Sequence, residues 1–167
     1  MSRSGLVRGV SVGEASLADK PTVANLLELY QYDFSEFVPA DIDERGRFGY
    51  PYLDAYWTDD DRFPFLIWVG HQLAGSVLIR RLPDGVMVMA EFFVMRRYRR
   101  EGVGRTAAVA AIDLFRGEWS IGVFETNAPG QAFWRDVLEP YSPTIGETSH
   151  DGDRMTTYRF TTSGGTR

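Results

Sequence analysis

Apolar and polar positions along the 167-residue chain follow two periods, one typical of helices and one typical of strands. Residues 17–37 keep helical spacing, with Pro21 in the first turn. Residues 102–116 form a second, alanine-rich pattern with a wide apolar arc, and residues 128–138 form a third. The remaining apolar runs predict strands at residues 5–12, 63–69, 73–81, 86–95, 119–125, 142–149 and 155–161.

The strand at residues 86–95 reads VMVMAEFFVM and is apolar at every position except Glu91. A strand that is apolar on both faces is typical of the centre of a sheet. The strand, helix, strand order from residue 86 to residue 125 predicts a right-handed parallel crossover. Short turns at residues 70–72 and 151–152 predict antiparallel pairs instead. We therefore expect an α/β (α+β) fold with a mixed, mostly antiparallel central sheet of roughly six to seven strands flanked by helices.

Length and composition fit one domain, which we place at residues 5–161, between an N-terminal tail of residues 1–4 and a flexible C-terminal tail of residues 162–167. The content of 44% hydrophobic and 14% aromatic residues supplies a core and leaves apolar side chains for a homodimer interface. Residues 39–61 are acidic, aromatic and broken by glycine and proline, which predicts a loop with a short helix near residues 53–57. We expect this loop to act as a lid.

Charge and targeting patterns exclude several classes of protein. A net charge of −5 argues against a nucleic-acid partner. Because no run has the apolar length of a signal peptide or a membrane span, we expect a cytoplasmic protein without a membrane partner. The absence of cysteine excludes disulfides and thiolate metal sites, and His71 and His150 lack metal-ligand spacing, so no metal is expected.

Two glycines, Gly102 and Gly104, stand one residue apart where the central strand turns into a helix, in a segment that carries five arginines. Free backbone N–H groups and the positive end of the helix dipole make such a turn a cradle for pyrophosphate. Arg99, Arg100 and Arg105 add planar donors around it. The alternatives are a solvated basic loop with glycines for packing and a dinucleotide-binding fold. Too few residues follow the next strand for the second half of a dinucleotide-binding domain.

The spacing of Arg99, Gly102 and Gly104 after a central strand, and Asn127 followed by the aromatic pair Phe133 and Trp134, occur in this order along the chain. In both motifs the chain resembles the GCN5-related N-acetyltransferases (GNAT), and the resemblance covers nearly the whole chain. It implies a GNAT-like fold with a splayed parallel pair of strands. It also implies acetyl-coenzyme A as co-substrate, held by Phe93, Val94, Met95, Arg99, Arg100, Gly102, Val103, Gly104, Arg105, Asn127 and Phe133.

Glu91 is the candidate general base. Burial in the apolar strand should raise its pKa toward neutrality, which suits it to accept a proton from an ammonium group. In the GNAT family a glutamate three residues before the valine of the signature strand often has this role, and Val94 would then supply the oxyanion N–H. The alternative is a buried glutamate that pairs with Arg80 or Arg81.

The chain differs from the family in the acid that protonates the leaving thiolate. The family's usual tyrosine is replaced by Trp134. Tyr141 is the nearest replacement, with Tyr158 as another and a structural tyrosine as the plain alternative. The resemblance implies N-acetyl transfer to a primary amine of a small molecule or peptide by direct attack. The acids of residues 39–61 favour a small cationic acceptor. A non-catalytic coenzyme A sensor on the same fold is the other functional hypothesis.

Overall fold

The computed structural model describes Val7 and residues 9–163. The predicted tail of residues 1–4 and residues 164–167 of the other tail lie outside the described residues. The strands are β1 (Val10–Glu14), β2 (Arg62–Val69), β3 (Gln72–Arg81), β4 (Met87–Val94), β5 (Gly117–Phe124), β6 (Thr144–His150) and β7 (Asp153–Thr162). The α-helices are α1 (Lys20–Phe34), α2 (Ala55–Thr58), α3 (Val103–Ile112) and α4 (Ala128–Leu138).

The seven strands form one sheet in the order β1-β2-β3-β4-β5-β7-β6. All neighbouring strands are antiparallel except β4 and β5, which confirms the mixed, mostly antiparallel sheet. The parallel pair is in register only at Met87 with Trp119 and Val88 with Ser120. Beyond these positions β4 and β5 diverge, as the resemblance predicted, and leave a gap in the middle of the sheet.

Helices cover both faces of this sheet and bury two cores. On one face α1 and α2 pack through Val23, Leu27 and Tyr56 against Leu78 and Phe93. On the other face, the larger core joins α3 and α4 to the sheet, and its members include Ile79, Ala107, Ile112, Trp119 and Val137. The gap between β4 and β5 therefore lies between two helical layers.

The predicted helix at residues 17–37 is too long at both ends. Leu17–Asp19 form a 3-10 turn, and the α-helix runs from Lys20 to Phe34. The side chain of Asp19 accepts hydrogen bonds from the backbone N–H and the hydroxyl of Ser16, so the chain turns before the α-helix begins. At the other end the Ser35 hydroxyl donates to the Tyr32 carbonyl.

Three further boundaries differ from the prediction. The first strand runs over Val10–Glu14 rather than residues 5–12, because its register follows β2; residues 5, 6 and 8 lie outside the described part. Helix α3 ends at Ile112, since Phe115 turns into the core and Gly117 has a φ of 116°. Thr162 was predicted to begin the flexible tail, but it is buried and pairs with Gly117.

Candidate active site

The gap between β4 and β5 opens a cleft of about 1800 Å³ that is lined from both faces of the sheet. Side chains of α1, of residues 50–62, of the arginine-rich loop and of α4 all reach it. Pockets for one small molecule have volumes of roughly 300–1,000 Å³. The cleft therefore has room for two substrates that meet at the gap.

The end of β4 directs the Val94 N–H toward this gap. The Met95 N–H donates to the Ala74 carbonyl on β3 at 2.8 Å, and the Phe93 carbonyl lies against Gly75, also on β3. Because backbone groups of successive strand residues point to opposite sides, the Val94 N–H points toward the gap. Of the three residues predicted to contact a cofactor through the main chain, Phe93 and Met95 direct these backbone groups to β3 and Val94 directs its N–H toward the gap; the contacts themselves stay a prediction.

The N-terminus of α3 forms the cradle that the glycines predicted. Gly102 caps the helix with a φ of 79°, and the first bond of the helix runs from the Thr106 N–H to the Gly102 carbonyl at 3.0 Å. The N–H groups of Val103, Gly104 and Arg105 precede that bond and have no acceptor within the helix. The side chain of Val103 is buried in the core, so this residue can contribute only its backbone to a ligand.

Gly104 has a packing role as well. A Cβ at this position would lie 3.1 Å from Cε2 of Phe133, which occupies the space beside the helix. Phe133 in turn stacks on Phe92 of β4, with ring centroids 5.7 Å apart. Asn127 caps α4, since its Oδ1 accepts from the Gly130 N–H at 2.9 Å, and it also lines the cleft. These residues form the wall of the cleft on the α3 and α4 side.

The arginines of the cradle have different partners. Arg99 donates from Nη2 to Asp33 of α1, and from Nε to the Val94 carbonyl at 2.8 Å. Arg96 donates to the other oxygen of Asp33, with Nε at 2.7 Å. Burial favours a higher pKa for Asp33, but the two arginines outweigh it and the pKa is lowered. Arg99 thus ties α1 to the end of β4, a contact that the sequence did not reveal.

Arg100 and Arg105 line the cleft on either side of Gly102. Arg105 donates from Nη1 to the Asp136 carbonyl of α4 at 3.0 Å, which orients its guanidinium. Arg100 is exposed and has a φ of 65°, so the backbone turns sharply there. Arg100 is therefore an exposed arginine at the edge of the cleft.

Glu91 lies beside a β-bulge, which determines the face that it occupies. The pairing of β3 with β4 shifts between Leu78, opposite Glu91, and Ile79, opposite Met89. The extra residue is Ala90, so Ala90 and Glu91 both face the α1 side of the sheet. There Glu91 Oε1 accepts a hydrogen bond of 3.1 Å from the Tyr50 hydroxyl.

Burial raises the pKa of Glu91 to about 7, and the Tyr30 and Tyr50 hydroxyls and the charge of Arg80 oppose this rise. The predicted shift toward neutrality is thus present. The alternative of an ion pair is not what the structure shows, because Glu91 forms no salt bridge with Arg80 or Arg81 in the described part of the chain.

Sequence reasoning missed four tyrosines that line the same cleft as Glu91: Tyr30 from α1 and Tyr50, Tyr52 and Tyr56 from the segment at residues 50–56. This segment is the end of the predicted lid, so its aromatic content was the available signal. Unlike these tyrosines, the carboxylates of residues 39–61 do not line the cleft. The acids from which a cationic acceptor was expected therefore do not line the cleft.

Tyr141 does not reach the cleft. Its ring packs on Phe160 at 4.9 Å, in a separate small cavity beside Trp119. Burial, and secondarily the charge of Asp113, raises its pKa to about 12. Trp134 is buried against Phe92 and Phe133. The structure thus does not bring the predicted thiolate acid together with Glu91, because the chain between α4 and β6 carries Tyr141 away from the gap.

Neither a membrane-spanning helix nor a metal-binding cluster is found in Val7 and residues 9–163. No helix there is long and apolar enough to cross a membrane. No group of three or more histidine, aspartate and glutamate side chains is arranged to hold a metal ion in this part of the chain.

A mixed sheet that splits at its parallel pair, with a strand N–H and the N-terminus of a helix facing the split, defines an α/β protein whose cleft can hold an anion and an oxyanion. The model of the acetyltransferase (GNAT) family matches residues 24–138. The chain therefore belongs to the acetyltransferase (GNAT) family and is an N-acetyltransferase.

Solved structures agree with this fold. An acetyltransferase from Thermus thermophilus aligns with a TM-score of 0.68 and 17% identity, over 94% of this chain and 99% of that one. A Salmonella typhimurium enzyme that modifies the N-terminal serine of ribosomal protein L7/L12 has a TM-score of 0.68 and 12% identity, over 94% and 97%. A spermidine N-acetyltransferase from Vibrio cholerae, in complex with coenzyme A and spermine, has a TM-score of 0.68 and 11% identity, over 95% and 98%. No curated protein matches the chain.

Proposed function

We propose that this protein transfers an acetyl group from acetyl-coenzyme A to a primary amine by direct attack of the amine on the thioester. The observation that carries the proposal is that Glu91 and the Val94 N–H stand on the same strand, at the point where β4 and β5 separate. One group can accept a proton and the other can stabilise an oxyanion.

The residues of the cradle fit a nucleotide pyrophosphate. The free N–H groups at the start of α3 and the charge of Arg100 face the cleft on the α3 side. A pantetheine arm that follows the gap would bring its thioester carbonyl to the Val94 N–H. When bound, acetyl-coenzyme A supplies the activated acetyl group, and the chain supplies position and proton transfer.

The acceptor amine approaches from the α1 side, where Glu91 and the tyrosines lie. Its nitrogen attacks the thioester carbon, and its proton passes to Glu91 directly or through one water. The carbon–sulfur bond then breaks, the electron pair goes to sulfur, and coenzyme A leaves as a thiolate that takes a proton from solvent water. A carboxylate with a pKa of about 7 is matched to this proton transfer near neutral pH. The similar proteins act on the N-terminal serine of a protein in one case and are named for spermidine in another, so both peptide and small amines are candidate acceptors.

The first prediction tests the cradle. Arg100→Asn keeps a residue that tolerates the positive φ but removes the charge. We expect calorimetric affinity for acetyl-coenzyme A to fall at least tenfold, which corresponds to one charge-assisted hydrogen bond of about 1.5–3 kcal/mol. Arg97→Asn is the matched control, because Arg97 stacks over Tyr98 outside the cleft. Equal affinity in both variants would contradict the cradle.

Turnover is tested by release of free coenzyme A from acetyl-coenzyme A with a panel of primary amines. The burial of Trp134 and the position of Tyr141 favour a second candidate, a sensor that binds the thioester without transfer. Amine-dependent release supports the enzyme. Tight binding with no release for any amine supports the sensor.

A further inference from the structure

The acceptor side of the cleft holds two arginines in direct register. Arg62 of β2 is the cross-strand partner of Arg80 of β3, and both line the cleft. We infer that Arg62, Arg80 and the Tyr56 hydroxyl form a carboxylate subsite, so that the acceptor is an amine that also carries a carboxylate, such as an amino acid. This inference rests on the proposed function and names the substrate class of the same site.

Because side chains alternate between the two faces of a sheet, Arg62 and Arg80 lie on the same face as Glu91. Leu66 and Leu78 belong to the core under α1 and α2, as does Tyr56. Residues two or four positions apart on a strand share a face, so Arg62 and Arg80 point to this same side. Leu78 pairs with Glu91, which puts Arg80 about 7 Å further along the sheet. One small molecule can span that separation.

Two buried polar atoms at this position have no hydrogen-bond partner within the described residues. The Tyr56 hydroxyl and Arg62 Nε lie near each other and near Tyr50, but neither completes a hydrogen bond of acceptable geometry within the described residues. Tyr56 is only 2% exposed. A buried donor without an acceptor is costly, and a carboxylate oxygen is the acceptor that both groups would favour.

The arrangement of Arg62 is prepared for an anion. Its guanidinium lies over the rings of Tyr52 and Tyr56, at 5.6 and 5.5 Å from their centroids. The carboxylate of Asp59 is 3.8 Å from Nε, outside hydrogen-bonding distance. Like charges directly opposite on neighbouring strands destabilise a sheet, so a carboxylate bound between Arg62 and Arg80 would add to the negative charge that Asp59 and Glu91 already present to them.

The same geometry opposes the cationic acceptor that the composition favoured. The acids of residues 39–61 lie outside the cleft. Asp33, which lines it, is paired with Arg96 and Arg99, and Glu36 lines it just beyond the end of α1. The charged side chains of β2 and β3 that line the cleft are the guanidinium groups of Arg62 and Arg80. A zwitterionic acceptor would place its amine at Glu91 and its carboxylate at Arg62 and Arg80, so both groups would face an opposite charge.

The second prediction is that the subsite binds the carboxylate of N-acetylated amino acids, which are the products of the proposed reaction. N-acetylated amino acids with small, apolar and aromatic side chains are titrated calorimetrically into protein saturated with coenzyme A, each beside its own carboxamide. At least one N-acetylated acid should bind tenfold or more tightly than its carboxamide. That ratio should fall below threefold in Arg62→Gln and in Arg80→Gln, and it should decrease in Tyr56→Phe.

Arg81→Gln is the matched control, because Arg81 lies over Phe63 on the opposite face and does not line the cleft. It should keep the wild-type ratio. A ratio near one for every pair in the wild-type protein overturns the subsite, even if uncharged amines are acetylated. Arginine-dependent binding of the acids without turnover of any amine overturns the proposed function and leaves the subsite standing.

Discussion

At the scale of single residues, Glu91 is balanced between two opposing influences. Burial favours its neutral form, whereas the tyrosine hydroxyls and Arg80 favour its charged form, and the result is a pKa of about 7. A carboxylate with the ordinary value would be a weak base for an ammonium group at neutral pH. The bulge at Ala90 is what makes this balance possible, because it turns the side chain toward α1.

The third prediction concerns Glu91→Gln, which keeps size and hydrogen bonding but cannot accept the proton. Turnover should fall by about 10²-fold to 10⁴-fold, with the affinity for acetyl-coenzyme A unchanged. The wild-type rate should rise about tenfold per pH unit up to an inflection near 7, because only the ionised carboxylate accepts the proton. Steady-state kinetics over pH 5 to 9 would show an unchanged inflection in the variant if another group were the base.

The pH dependence of the free energy of unfolding is an independent check on the raised pKa of Glu91. The folded pKa of Glu91 exceeds its ordinary value of 4.5, so between these two values the folded state binds the proton more tightly than the unfolded state. Stability from this group is therefore lost as pH rises from 4.5 to about 7. Relative to the wild type, Glu91→Gln should gain on the order of 1–3 kcal/mol between pH 4 and pH 8. A constant difference would contradict the raised pKa.

At the scale of elements, β3 and β4 approach closely where the Val94 N–H is oriented. A Cβ at Gly75 would lie 1.9 Å from the Phe93 carbonyl oxygen and 2.9 Å from the Phe93 carbonyl carbon. Both contacts are with backbone, so no side chain can move aside. The absence of a side chain at Gly75 thus allows the end of β4 to keep its register beside the gap.

The fourth prediction is that Gly75→Ala shifts the end of β4 and removes activity. Overpacking should lower the free energy of unfolding by about 1–3 kcal/mol or more, and release of coenzyme A should be lost even in samples that remain folded. Gly13→Ala is the control, because nothing lies within 4 Å of a Cβ there. Denaturant unfolding and turnover measure both effects. Normal turnover in Gly75→Ala would show that the orientation of Val94 tolerates a displaced strand.

Elements with a strong local signal were predictable from sequence. The apolar run with one charge predicted β4 in the centre of the sheet, because burial selects apolar residues. The glycines predicted the start of α3, because a positive φ selects glycine. The tyrosines around Glu91 come from α1 and from a loop, and only long-range packing brings them together. Asp33 was hidden for the same reason, since its partners Arg96 and Arg99 are more than sixty residues away.

At the scale of the whole molecule, the sheet consists of two parts that meet at a narrow junction. Strands β1 to β4 and strands β5 to β7 are joined by only two registered pairs between β4 and β5, together with packing against α3 and α4. A ligand in the gap touches both parts at once. Binding should therefore stabilise the molecule as a unit rather than order the arginine-rich loop alone.

The fifth prediction is that coenzyme A slows amide hydrogen exchange on both sides of the gap. Ligand at about 100 times its dissociation constant stabilises the folded state by about 2.7 kcal/mol. Exchange measured by mass spectrometry should slow in peptides that cover residues 89–96 and 120–127, as well as in the cradle. Strand β1 contributes no residue to the cleft, so its exchange reports the stabilisation of the whole molecule and is the baseline against which local protection is measured. Protection confined to residues 96–105 would mean that the nucleotide end binds while the gap stays empty, and the thioester would then lie away from Val94.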